Sequence, residues 1–167
     1  HSWTQTPPSE EFKILTTAVS AMERNQLVDV NKKLVAIRTL QTMTFLVSKQ
    51  DWTIDQILKI HAFTENLGID IAYSPLVESG GTNRFAILNP EPYYPGIKSI
   101  LDQENRKDFL LQYEFNIEPV TDRKPFLFNF FKWSQFPVIF SQLGTSWEPF
   151  GGLGFLLIII LFIIMVI

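Results

Sequence analysis

The chain has 167 residues, room for one modest domain plus an apolar tail, and carries a net charge of −3 with acidic and basic residues interspersed. That balance offers no basic surface for nucleic acid. There is no cysteine, and the two histidines, His1 and His61, stand far apart, so disulfides, thiolate chemistry and a zinc ligand set have no basis in this composition.

Taken in order, His1 to Pro8 is a short polar entry ending in Pro7-Pro8. Ser9 is placed to N-cap a helix, with Glu10 and Glu11 favourable against its dipole. Phe12, Leu15, Val19 and Met22 recur at three- and four-residue steps, so they share one face of a helix that should end near Asn25. Leu34–Ile37 and Thr44–Val47 are apolar, β-branched runs separated by Thr39-Leu40-Gln41-Thr42, and read as two strands buried on both faces. A helix over the same stretch is the alternative, since it holds no Gly or Pro, but its Thr and Val content opposes that.

Thr53 and Gln56 have capping-box spacing, and a helix from there to Leu67 would end on Gly68 as a left-handed cap. His61 lies within it, and a lone histidine there reads as a surface or packed side chain rather than a catalytic one. Ile69–Tyr73 then reads as a short strand. Pro75 to Pro95 reads as a loop, whose Gly80-Gly81 pair lacks the strand-to-helix context of a phosphate cradle. Ile97 to Leu111 reads as one or two short helices.

From Gly151 the chain is GGLGFLLIIILFIIMVI, with no charge after Glu148. At 1.5 Å per residue, residues 149–167 approach the ~30 Å of a bilayer core, so a transmembrane helix is expected. A buried core helix or a buried strand is the alternative. The absence of an initiating Met and of a polar flank after Ile167 gives the expectation of a fragment.

Phe115 onward reads F-N-I-E-P-V-T-D-R-K-P-F-L-F-N-F-F-K-W. This resembles the T-D-D-R-P-F-F segment of membrane-associated, spermidine-synthase-like proteins of bacteria. Pro7-Pro8-x-Glu10, Thr44–Lys49 and Gly68–Pro75 fall in the same family's order, so the resemblance covers most of the chain. It implies an α/β fold: the C-terminal portion of a Rossmann-like, class I methyltransferase-type sheet, with a helix, an antiparallel terminal strand pair and another helix. An aromatic junction and a transmembrane helix would follow. The implied divisions are 1–120 for the sheet portion, 121–148 for the junction and 149–167 for the truncated transmembrane helix.

The family-motif candidates are Thr121, Asp122, Pro125 and Phe126. Arg123, Lys124 and Leu127 depart from the pattern, Arg123 by a reversed charge. Independently of family, Thr121 or Asp122 could cap a following helix with Pro125 in its first turn. Phe126, Phe128, Phe130, Phe131, Trp133 and Phe136, with Trp147, could form an aromatic belt at a membrane interface with Lys132 snorkelling.

The resemblance implies a membrane-anchored transferase moving an aminopropyl or methyl group from an adenosyl-sulfonium donor. S-adenosylmethionine or its decarboxylated form would be the parent's cofactor. The glycine-rich turn and the acid that hold such a donor would lie upstream, leaving no cofactor in this fragment, which would not be catalytic by itself and whose catalytic residues stay unassigned. The implied partners are the bilayer and the upstream half of the same domain. The implied location is a bacterial inner membrane, with the remainder cytoplasmic. The alternatives are a non-catalytic, membrane-bound Rossmann-like binding module and an unrelated tail-anchored interaction protein.

Overall fold

The computed structural model describes residues 1–135 and 153–166. Four strands, β1 (Ser2–Trp3), β2 (Leu34–Arg38), β3 (Thr42–Val47) and β4 (Asp70–Tyr73), form one sheet in the order β1-β3-β2-β4, every neighbouring pair antiparallel. Because β1 and β2 both run opposite to β3, they run parallel to each other. They are joined through α1 (Glu10–Arg24), and β3 is inserted between them. The β2–β3 hairpin closes through Thr39, whose N–H donates to the Thr42 carbonyl at 2.9 Å and whose hydroxyl accepts from the N–H groups of Gln41 and Thr42.

The α1 periodicity read from sequence holds. Phe12, Leu15, Val19 and Met22 all lie in the core, against Leu34, Ala36, Met43 and Ala72 of the sheet. Asn25 terminates the helix. Ser9 occupies the N-cap position but caps nothing with its side chain; its hydroxyl turns back to Gln5, and the Glu11 carboxylate receives the Ser9 N–H instead. Helix α2 (Ile54–Leu67) begins on the expected Thr53–Gln56 capping box and ends on Gly68 at φ 63°, a left-handed position that suits glycine. Val35 and Ile71 alternate to the opposite face of the sheet from the main core and are buried there, as is Ile57 of α2. The strand pair is not uniformly buried, however: β2 is enclosed, whereas β3 is half open along its length.

Helices α3 (Tyr93–Leu101) and α4 (Arg106–Gln112) occupy the stretch read as one or two short helices. Beyond them, Phe115 and Ile117 are drawn into the core without regular structure.

Two expectations are corrected. The chain is mixed α/β around a wholly antiparallel four-stranded sheet, and the two-residue β1, which the sequence presented as a polar entry, had given no signal of its own. The apolar tail forms α5 (Leu153–Val166), whose 14 residues extend about 21 Å at 1.5 Å per residue, short of a ~30 Å hydrocarbon core. Among the described residues no helix is long and apolar enough to cross a membrane. The transmembrane helix expected over 149–167, and the bacterial inner-membrane location drawn from it, are withdrawn. Residues 149–152 and 167 of that expectation lie outside the described residues.

Gly96 of α3 tests how tightly this core is packed. A Cβ there would overlap the Phe12 ring, which is enclosed on all sides. Alanine usually gains about 0.5–1 kcal/mol over glycine inside a helix, but overpacking costs about 1–3 kcal/mol. Gly96→Ala is therefore expected to lower the unfolding free energy by about 1–2 kcal/mol, measured by urea denaturation.

Candidate functional site

Strands β1 and β2 finish at the end of the sheet where β3 and β4 begin. There the structure assembles a buried polar network from four separated segments. Arg38 ends β2 and Asp70 begins β4, each only 1% exposed, with Arg38 Nη2 3.1 Å from Asp70 Oδ2. The same nitrogen donates to Asn83 Oδ1 at 3.0 Å and to the Ala86 carbonyl at 2.6 Å. Asp70 accepts three more hydrogen bonds, from the backbone N–H groups of Arg84, Phe85 and Ala86. The loop 83–88 is thereby wrapped around one ion pair.

The Arg38 guanidinium lies 5.3 Å over the Tyr93 ring. The Tyr93 hydroxyl in turn sits 2.9 Å from Glu11 Oε1 and 2.8 Å from the Gln5 carbonyl. Glu11, fully enclosed, also accepts the backbone N–H groups of Gln5 at 2.6 Å and Ser9 at 3.2 Å. Burial raises the Glu11 carboxyl above its usual range, against the lowering effect of these bonds, and burial beside Glu11 raises the Tyr93 phenol. Glu11 thus clamps the Thr4–Ser9 loop that leaves the carboxyl end of β1.

Arg38, Asp70, Glu11 and Tyr93 are all engaged in this network, and Glu11 is fully enclosed. Its chemistry is positioning, not proton transfer to a substrate. Two open depressions flank it. One, about 420 Å³, is lined by Thr39, Leu40, Leu67, Phe85 and Ala86. The other, about 670 Å³, is lined by Ser79, Asn83, Glu91, Tyr94 and Lys98.

His61 Nε2 lies 3.1 Å from Ser74 Oγ, a Ser–His pairing in form. Ser74 is 1% exposed, so an attacking hydroxyl could not meet a substrate, and burial lowers the imidazole pKa. The pair reads as packing, as the sequence suggested for His61. Among the described residues no group of histidine and acidic side chains is arranged to hold a metal ion.

The family-motif candidates form a tight turn, and no helix follows them directly. Thr121 and Lys124 bridge, with the Lys124 N–H donating to both the Thr121 carbonyl and its hydroxyl. Asp122 and Pro125 are exposed, and Phe126 is 67% exposed. Thr121 therefore caps a turn, and Pro125 does not open a helix. Phe128 and Trp133 are exposed, with Phe131 edge-on to Trp133 at 5.3 Å. Lys132 turns inward: its ammonium donates to the carbonyls of Leu110, Leu111 and Tyr113, capping α4, and burial lowers its pKa. Phe136 and Trp147 lie outside the described residues.

Sequence reasoning missed Glu11, Arg38, Asp70 and Tyr93. The available signal was two opposite charges set at the ends of apolar strand runs, L-V-A-I-R and D-I-A-Y, which must be paired if both strands are enclosed.

The adenosyl donor implied by the resemblance finds no fit among the described residues. Gly80 and Gly81 close a 3-10 turn, and the next helix begins only at Tyr93, so no strand-to-helix glycine turn is present to hold it. No protein-family model, curated protein or solved structure matches the chain.

Two measurements test the network. Asp70→Asn leaves Arg38 buried without a counter-charge, which typically costs about 3–5 kcal/mol; a loss below about 1 kcal/mol in chemical denaturation would show the pair to be dispensable. For Glu11 the sign follows from its raised pKa. Its stabilising contribution is complete below the unfolded value near ~4.3 and is lost as pH rises through the folded value. The stability of wild type relative to Glu11→Gln is therefore expected to fall from about pH 4 upward and then level off, and a pH-independent difference would contradict the assignment.

Proposed function

We propose that this chain is the sheet-closing, non-catalytic part of a spermidine-synthase-like transferase that moves an aminopropyl or methyl group from an adenosyl-sulfonium donor. The observation that carries the reading is topological: parallel β1 and β2, joined through α1, flank an antiparallel β3. This order supports the reading because the resemblance implies a helix followed by an antiparallel strand pair. The clamped Thr4–Ser9 loop supports the same reading, because it stands at a strand's carboxyl end and is rigid without being reactive.

In this division of labour the described residues supply a positioned wall, and the donor is held by groups they do not contain. Among the described residues Asp122, exposed in its turn, has no contact that would make it a general acid or base. Asp122→Ala is expected to change stability by no more than about 0.5 kcal/mol, as for other surface substitutions.

Calorimetric titration of the 167-residue chain with S-adenosylmethionine, and with its decarboxylated form, is expected to show no binding. A micromolar dissociation constant would overturn the division. The transferase reading itself is tested by product analysis of the intact gene product with diamine and polyamine acceptors. Release of 5′-methylthioadenosine marks aminopropyl transfer, and release of S-adenosylhomocysteine marks methyl transfer. Release of neither from either donor refutes it and favours a non-catalytic binding module.

A further inference from the structure

Lys13 lies on α1, away from the network that Glu11 serves, and is buried. Among the described residues its ammonium forms no ion pair. Its one hydrogen bond goes to the Asn129 carbonyl at 2.6 Å, and it lies 5.4 Å from the centre of the Phe130 ring. Burying a cation is costly, and burial lowers this ammonium's pKa to about 8 against the attraction of Glu118.

A cavity of about 80 Å³ adjoins it, lined also by Asn116, Glu118, Lys124, Phe126 and Asn129. That is room for about two or three water molecules at ~30 Å³ each, or for one carboxylate group. The tight turn of Thr121–Lys124 brings Lys124 to the rim, where it pairs with Glu118 at 3.6 Å. Two lysines against one glutamate leave a single positive charge around the cavity. A singly charged anion balances it, whereas a dianion would meet Glu118 unneutralised. Phe126, largely exposed beside this charge, supplies an apolar lip.

We propose that the Lys13 cavity is a binding site for a carboxylate with an apolar neighbour, held by Lys13 and Lys124 and flanked by Phe126. The motif most characteristic of the family resemblance thereby acquires a local task independent of transferase chemistry. The carboxylate can come from a free small acid or from the C-terminus of a peptide, and the two sources are separable by experiment.

The test is thermal melting of the full chain in sodium acetate against sodium chloride at matched ionic strength and pH 7. Acetate is expected to raise the melting temperature saturably, with half-saturation on the order of 1 mM, a weak single-site affinity. Lys13→Met should abolish the response. Lys124→Gln alters a side chain that is 78% exposed, leaves the fold intact and should weaken the response several-fold, so the site remains testable even if Lys13→Met fails to fold.

A tripeptide with an apolar C-terminal residue and a free carboxylate, compared with its amide, separates the sources. Tighter binding of the free acid than of acetate, lost in Phe126→Ala, identifies a peptide end; binding no tighter than acetate identifies a free acid. Indistinguishable melting in acetate and chloride overturns the proposal, as does an acetate response undiminished in Lys124→Gln.

Discussion

The fold depends on one buried ion pair. Arg38 and Asp70 sit at adjacent ends of two antiparallel strands in an interior that would not tolerate either charge alone. Beyond each other they hold the loop 83–88: Asp70 gathers three consecutive N–H groups, and Arg38 reaches the Ala86 carbonyl and the Asn83 side chain. That loop is ordered in this way. The same guanidinium covers Tyr93, and Tyr93 with Glu11 fixes the first loop of the chain. Four segments distant in sequence are held in register by two neighbouring charges.

This arrangement separates what the chain holds rigid from what it leaves accessible. The end of the sheet where β1 and β2 finish is filled by the Arg38–Asp70 network, and the depressions beside it are open, one lined by Ser79, Asn83, Glu91 and Lys98 and the other mostly by apolar groups. Lys13, also enclosed, forms no ion pair among the described residues and feels Glu118 only across the adjoining cavity. The contrast between Glu11 and Lys13, neighbours two residues apart on one helix, is a contrast of partners. Glu11 receives three donors, and Lys13 finds one acceptor.

Local signals in the sequence translated well where they act within a few residues. The Thr53–Gln56 box, the Gly68 cap, the apolar stripe of α1 and the strand runs of β2 to β4 all appear where their chemistry places them. Three features were not legible, for reasons of range. Ser2-Trp3 becomes a strand only because Met43 and Thr42 lie opposite it. The T-D-R-K-P segment looked like a helix start, but its hydrogen bonds close on themselves between Thr121 and Lys124. Lys132, read as reaching outward from an aromatic belt, instead finds the unsatisfied carbonyls at the end of α4, a tertiary contact across about twenty residues. In the tail, apolar composition did not translate into membrane-spanning length, because the described helix is 14 residues.

The insertion of β3 between β1 and β2 also bears on how the chain finds its structure. The β2–β3 hairpin joins residues separated by a single tight turn, so its closure entropy is small. β4 must arrive from beyond α2 and β1 from before α1, each closing a loop of more than thirty residues. Loop-closure entropy therefore favours the hairpin as the first stable pairing, with the outer strands added on either side. The two-residue β1 contributes the fewest bonds for one of the longest closures, which makes its pairing the last to form and the first to exchange its amide hydrogens with solvent.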